Sequence, residues 1–312
     1  MYDLKGDVLI EDEFLRDGLQ NEKRLFSIEE KLGFLTDLEA AGCRRIQLGS
    51  FVHPKWVPSM ADTDELFSRI TPKAGVTYTA LILNKAGLDR ALDVGVKHLS
   101  ISVSASETHS MKNTNRSVED ARARIAPVIE KALAEGVAVR AGIQSAFGCG
   151  FEGEINPAVV LDIARQWSDL GAHEINLADS SGLGNPRQIF DLCRVVRDVI
   201  RPEVQLSLHL HDTRGLGLAN MVAGLQAGVR IFDAALGGLG GCPFLPKATG
   251  NIATEDAVFA LTEMGMATGI DWRALKPAIA RAEEMLGRRL PGRMGHINQP
   301  GDAGTEDLGA CA

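Results

Sequence analysis

The chain holds a few polar residues whose types and spacing suit chemistry. In Leu208-His209-Leu210-His211-Asp212-Thr213 two imidazoles stand two positions apart. In extended chain such positions share a face, so His209 and His211 point the same way at the end of an apolar run. Other polar groups close similar runs: Arg16-Asp17, Gln47 and Ser50, Asp179-Ser180, and then Cys242 and Asn251 within the glycine-rich LGGLGGCPFLPKATGN at 236–251. Two imidazoles, a carboxylate and a side-chain amide form a mixed nitrogen and oxygen set. That set fits Mg²⁺ or Mn²⁺ with open water positions. Zinc fits less well, because one thiol does not complete its usual tetrahedral set. Taken singly these residues have plainer uses: Arg16-Asp17 as an ion pair, Asp179-Ser180 as a helix cap, the glycine run as a loop around a buried thiol. Their joint placement at the ends of strands is what favours a site.

The elements that must position them alternate regularly. Short β-branched, apolar runs predict strands near 7–13, 44–49, 77–83, 97–103, 138–145, 174–179, 205–211 and 230–236. Amphipathic runs predict helices between them, for example 27–41, 117–135, 157–170, 186–199, 216–227 and 254–266. Ser27 and Glu30 read as a capping box, and several helices end at glycine. Repeated βα units with no hairpin-like strand pair predict a parallel (β/α)8 TIM barrel. A doubly wound sheet is the rival, but no GxGxxG follows the first strand. The helical remainder near 271–289 is expected as a C-terminal appendage. Residues 1–293 then form one domain and 294–312 a flexible tail. In such barrels the site lies at the C-terminal strand ends, where all the groups named above converge.

Composition narrows the function. The 312 residues carry a net charge of −8 without a basic run, which disfavours a nucleic-acid partner. Five cysteines, an odd number with no CxxC, argue against a disulfide framework and for a reducing cytoplasm. No stretch reaches the ~20 apolar residues of a membrane helix, and the acidic N-terminus has no signal-like apolar run. Lys23, Arg288 and Arg289 are candidates for holding phosphate.

Four segments carry a family likeness: RDGLQNEK (16–23), SFVHPKWVPSM (50–60), HLHDTRGLGLAN (209–220) and GGLGGCPFLPKATGNIATED (237–256). In this order, and over almost the whole chain to about residue 293, they resemble the 3-hydroxy-3-methylglutaryl-CoA lyase family. That family is related to isopropylmalate and homocitrate synthases and to pyruvate aldolases. The resemblance implies a soluble barrel, possible as a homodimer, that splits an acyl-CoA substrate by a divalent-metal-dependent retro-Claisen reaction. Hydroxymethylglutaryl-CoA would give acetyl-CoA and acetoacetate. A citramalyl-type or longer branched thioester is the alternative substrate. It further implies that Asp17, His209, His211 and Asn251 hold the metal and that Arg16 faces the thioester carbonyl. Cys242 matches the mobile-loop thiol, and Asp179 an acid beside the substrate, with Asp179 or His209 as the base. The Cys242 loop speaks against a Claisen synthase or an aldolase. The chain departs from the family pattern in having Gln47 where a Glu is usual, and DEFLRDG where EVGPRDG is usual. Asp12 thus replaces Glu, and Phe14-Leu15 replace Gly-Pro, which is expected to shift the pocket wall.

Overall fold

The structure, a computed structural model, describes residues 6–241 and 250–297. Eight strands form a closed barrel: β1 (Leu9–Asp12), β2 (Arg45–Ser50), β3 (Thr77–Ile82), β4 (His98–Ser104), β5 (Ala138–Gln144), β6 (Glu174–Asp179), β7 (Gln205–Leu210) and β8 (Ile231–Ala234). Every pairing is parallel, and β1 meets β8 in the register Leu9↔Ile231 to Asp12↔Ala234. The expected TIM barrel is therefore what forms.

Ten helices surround the strands in the described residues: α1 (Ile28–Ala40), α2 (Thr63–Arg69), α3 (Lys85–Asp93), α4 (Glu107–Thr114), α5 (Val118–Ala134), α6 (Pro157–Asp169), α7 (Pro186–Arg197), α8 (Gly217–Gln226), α9 (Thr254–Glu263) and α10 (Lys276–Leu286). Their starts are set locally. Ser27 and Glu30 make the reciprocal capping box, Asn185 and Gln188 make another, and Asn84, Ser106, Ser117 and Asn156 each accept a first-turn N–H. The first helix ends at Gly42, whose φ of 97° only glycine adopts freely and whose missing Cβ lets the Gly269 carbonyl close in. The C-terminal appendage is α10 with a preceding 3₁₀ turn, Trp272–Leu275.

Two boundaries differ from expectation. Strand one stops at Asp12 and passes into a single π-helical turn, Phe14–Gly18. Asp12 Oδ1 accepts from Phe14 N, and Gly18 N reaches Glu13 O. This turn, not a strand end, presents Arg16 and Asp17. Packed chain also continues past 293. Asp256 accepts from the backbone of Arg293 and Met294, and Met294 is buried, so residues 294–297 lie on the body and are not tail.

Apolar residues fill the layer between strands and helices, with Phe34, Leu38, Ile129, Ile163, Trp167 and Ile189 fully buried. Phe14 and Leu15 belong to this layer, Phe14 lying 4.8 Å from the ring of Phe34. Neither lines the cavity, contrary to expectation: the π turn sets Phe14 against α1 and buries Leu15 in the core. The barrel interior is ionic instead of the usual branched apolar layers. Arg45 pairs with Glu11 at 2.6 Å and Glu174 at 2.8 Å. Arg140 pairs with Glu11, Glu13 and Asp233. Such charges hold only as a matched set, because each alone would be stranded in low dielectric.

Candidate active site

The π turn, the end of β7 and the segment leading into α9 bring four of the expected residues together. Asp17, His209 and His211 each offer a ligand atom within 4.8 Å of the others, and all three are buried. The two Nε2 atoms stand 2.9 Å apart. Ligand atoms about 2.1 Å from one ion and at right angles around it would be about 3 Å apart. Asn251 is fixed by pairing of its segment with His211 and by Nδ2 donating to Asp17 Oδ2 at 2.7 Å and to Leu239 O at 3.1 Å. Its Oδ1 is then left buried without a partner among the described residues, turned loose as an acceptor with no donor. An orphaned acceptor in that position is what a cation ligand looks like before the cation is considered.

Gly240 closes the back of this set. A Cβ there would lie 2.8 Å from Asp17 Oδ2 and would also crowd the Asn251 amide, so the backbone approach requires glycine. The neighbouring Gly241 lines the cavity, and Asn21 holds its carbonyl at 2.9 Å. Cys242 follows immediately, within 242–249, outside the described residues.

A second group of possible ligands, Glu13, His209 and Asp233, meets at the other ring nitrogen of His209. Cations already occupy it: Arg16 and Arg140 both pair with Glu13, and Arg140 with Asp233. Its task is orientation. Asp233 Oδ2 lies 3.1 Å and Glu13 Oε2 3.5 Å from His209 Nδ1. Two acceptors there keep the proton on Nδ1 and leave the Nε2 lone pair facing His211.

Arg16 is held on three sides. Its Nη1 donates to Asp17 Oδ1 at 2.7 Å, Nη2 to Glu13, and Nε to Gln47 Oε1. Gln47 in turn donates to Glu11 Oε1 at 3.2 Å and Ser100 Oγ at 3.3 Å, roles that a carboxylate could not fill.

The electrostatics follow from burial and these partners. Burial raises the Asp17 carboxyl, but Arg16, His209 and His211 outweigh it and hold it below its ordinary value. Burial, then the neighbouring His209, push His211 down to about 4, so it stays neutral and able to ligate. Burial outweighs Arg16 at Glu13 and pushes it up to about 7.

The remaining sequence-based candidates are placed as follows. Asp179, at the end of β6, accepts from the backbone N–H groups of Leu183 and Gly184, and burial pushes it up to about 6 against those donors. Its neighbours Ala178 and Ser180 line the cavity. Lys23, Arg288 and Arg289 are exposed and do not line it; Arg288 pairs with Glu22. The sequence reading missed Glu13, Arg140, Asn176 and Asp233. The signal was present: Glu11 and Glu13 alternate within the expected first strand, 7–13, and Arg140 and Asp233 interrupt apolar strand runs, as interior-facing charges do.

The cavity above these residues measures about 220 Å³. Arg16, Asp17, Arg140, Asn176, His209 and His211 form its floor, and Ser100, Ser102, Gly142 and Gln144 part of its wall.

Comparison with known proteins places this geometry in a family. Residues 7–281 match the family model described as HMGL-like. The chain is 41% identical over 273 residues to a 3-hydroxy-3-isohexenylglutaryl-CoA/hydroxy-methylglutaryl-CoA lyase of Pseudomonas aeruginosa, covering 88% of this chain and 91% of that one. It is 40% identical over 298 residues to an (R)-citramalyl-CoA lyase of Chloroflexus aurantiacus, covering 92% and 94%. Among solved structures, hydroxymethylglutaryl-CoA lyase from Pseudomonas aeruginosa superposes with a TM-score of 0.90 at 39% identity, over 94% of this chain and 98% of that one. With a continuous match over most of its length, the chain belongs to the HMGL-like family.

Proposed function

We propose that the protein is a carbon–carbon lyase that cleaves 3-hydroxy-3-methylglutaryl-CoA into acetyl-CoA and acetoacetate. The observation that carries this reading is the buried set Asp17, His209 and His211 facing one cavity beside Arg16, with Asn251 bonded to Asp17 and its Oδ1 left without a partner among the described residues. These four residues would hold Mg²⁺ or Mn²⁺, a choice that rests on the mixed hard and borderline donors. When bound, a divalent ion there would supply Lewis-acid polarisation of substrate oxygen.

The chain's own residues do the rest. The substrate C3 hydroxyl loses its proton to a base. Asp179 and His209 are the candidates: His209 lines the cavity, whereas Asp179, pushed up to about 6 by burial, lies just behind the lining residues Ala178 and Ser180 and faces the Leu183 and Gly184 N–H groups. The C3–O bond gains carbonyl character, the C2–C3 bond breaks, and its electron pair becomes a thioester enolate. Arg16, fixed by Glu13, Asp17 and Gln47, aims its guanidinium at the enolate oxygen, where negative charge grows. The enolate carbon then takes a proton to give acetyl-CoA. We assign Cys242 to that delivery on the sequence alone, as part of the glycine-rich loop that follows Gly241. No helix of the described residues is long and apolar enough to cross a membrane, and the protein is proposed as cytoplasmic.

The acyl group is the open variable. The relatives include a citramalyl-CoA lyase and a lyase of a longer branched glutaryl-CoA. The wall of Ser100, Ser102 and Gly142 is small and polar, which favours a substrate larger than hydroxymethylglutaryl as the second reading. A panel of 3-hydroxyacyl-CoA thioesters, assayed with Mn²⁺ for acetyl-CoA release, tests both. Cleavage of hydroxymethylglutaryl-CoA at a rate above the rest supports the first reading. Its inertness beside cleavage of a larger thioester supports the second. No cleavage of any thioester removes the lyase assignment.

A further inference from the structure

The cavity does not end at its wall. A second chamber of about 240 Å³ lies between the ends of β3–β5 and helices α4 and α5, and it shares Leu83, Ser102, Asn113 and Gln144 with the first. Where the two spaces adjoin, β4 and β5 pair small residues, Ser102 opposite Gly142. A Cβ on Gly142 would already lie 3.0 Å from that of Ser102.

Two features of the chamber point to a ligand. Its only charged lining residues are Arg116 and Arg124, with no acid among them. Neither arginine has a carboxylate partner among the described residues. By contrast Arg122, on the same helix as Arg124, pairs with Asp162, and Arg69, Arg90 and Arg281 are likewise paired. Moreover, Ser110 Oγ, on a residue 1% exposed that lines the chamber, is buried without a hydrogen-bond partner among the described residues. The buried hydroxyl left idle is costly unless something fills the space beside it, and the two guanidiniums, Arg116 half-buried and Arg124 exposed at the rim, are free to turn to an anion there.

We propose that this chamber binds an anionic end of the substrate, a carboxylate or a phosphate, through Arg116, Arg124 and the Ser110 hydroxyl. The proposal rests on the lyase reading only for the source of the anion: the far carboxylate of a long acyl group, or a phosphate of coenzyme A. Guanidinium forks match both oxyanions. Every interaction it invokes lies away from Asp17, His209 and His211.

The test is calorimetric binding to Mn²⁺-loaded full-length protein, which needs no turnover and so stands apart from the lyase assignment. The R116A/R124A double variant is compared with the wild type and with R116K/R124K, each checked for an unchanged thermal melt and Mn²⁺ titration. Probes are coenzyme A, 3′-dephospho-coenzyme A, and a long-chain 3-hydroxy diacid. We expect the double alanine variant to lose at least tenfold in affinity for one probe class, with the lysine variant recovering part of it. Loss on coenzyme A alone assigns the 3′-phosphate. Loss on coenzyme A and its dephospho form together assigns the diphosphate. Loss on the diacid with coenzyme A unchanged assigns the acyl carboxylate. Affinities within twofold of wild type for all three probes overturn the proposal.

Discussion

The replacement Asp233→Asn separates charge from shape at the orienting carboxylate. Asp233 Oδ2 accepts from Arg140 Nη2, from Asn176 Nδ2 at 3.3 Å and from His209 Nδ1 at 3.1 Å. An asparagine oxygen can take the same three donors, so the side chain keeps its position. What disappears is the negative charge that raises the basicity of the His209 ring. The new amide NH₂ lands where Oδ1 now sits, buried and without a partner among the described residues. Losing the carboxylate behind a metal-binding histidine costs roughly 10–100-fold in metal affinity. That is about 1.4–2.7 kcal/mol at the usual conversion. Two stranded amide protons add about 1–3 kcal/mol of lost stability. The assay is titration of metal-stripped protein with Mn²⁺, following the paramagnetic resonance signal of the free ion. A dissociation constant within twofold of wild type in folded Asp233→Asn protein would refute the orienting role.

Other outcomes follow from the same geometry. Arg16→Met should lower kcat about 10²–10³-fold, or about 2.7–4 kcal/mol, with KM little changed, read from steady-state acetyl-CoA release; near-normal turnover contradicts the enolate role. Arg140→Met takes from Asp233 its arginine partner and from Glu11 and Glu13 one of two, and should destabilise the fold by about 3–5 kcal/mol in urea unfolding; a loss under 1 kcal/mol denies that the interior charges are matched. Gln47→Glu sets a carboxylate against Glu11, and because Gln47 and Glu13 share Arg16, adding Glu13→Gln should recover stability with a coupling of about 0.5–3 kcal/mol. Additive effects would show no shared partner. Burial pushes Glu255 up to about 8. Its folded value exceeds its unfolded one, so its contribution is complete below about pH 4.5 and is lost as pH rises towards 8. Wild type should therefore lose melting temperature relative to Glu255→Gln between pH 5 and 8; parallel melting curves contradict this.

The alternation of apolar runs was enough to read all eight strands, because parallel barrel strands are short, β-branched and separated by helix-length segments. The cap at Ser27 was legible for the same local reason. The π turn at Phe14–Gly18 was not, since it depends on Asp12 and Glu13 turning the backbone and leaves no periodicity in five residues. That turn also decides that Phe14 packs on α1 and that neither it nor Leu15 lines the pocket. His209 and His211 were found as two imidazoles on one face at a strand end, and the family likeness joined Asp17 and Asn251 to them as ligands. Glu13, Arg140 and Asp233 escaped because their pairing spans more than 90 residues of chain, and only barrel closure brings β1, β5 and β8 onto one axis. The chamber at Arg116 was invisible for a similar reason: nothing in an arginine between two helices says that its neighbours lack an acid.

The account stands on one ion held by one particular set of atoms, and crystals grown with Mn²⁺ measure that directly. Anomalous density bonded to Asp17, Asn251 Oδ1 and the Nε2 atoms of His209 and His211 is the predicted result. Density on the Nδ1 side of His209, between Glu13 and Asp233, or no density at either place, would contradict it.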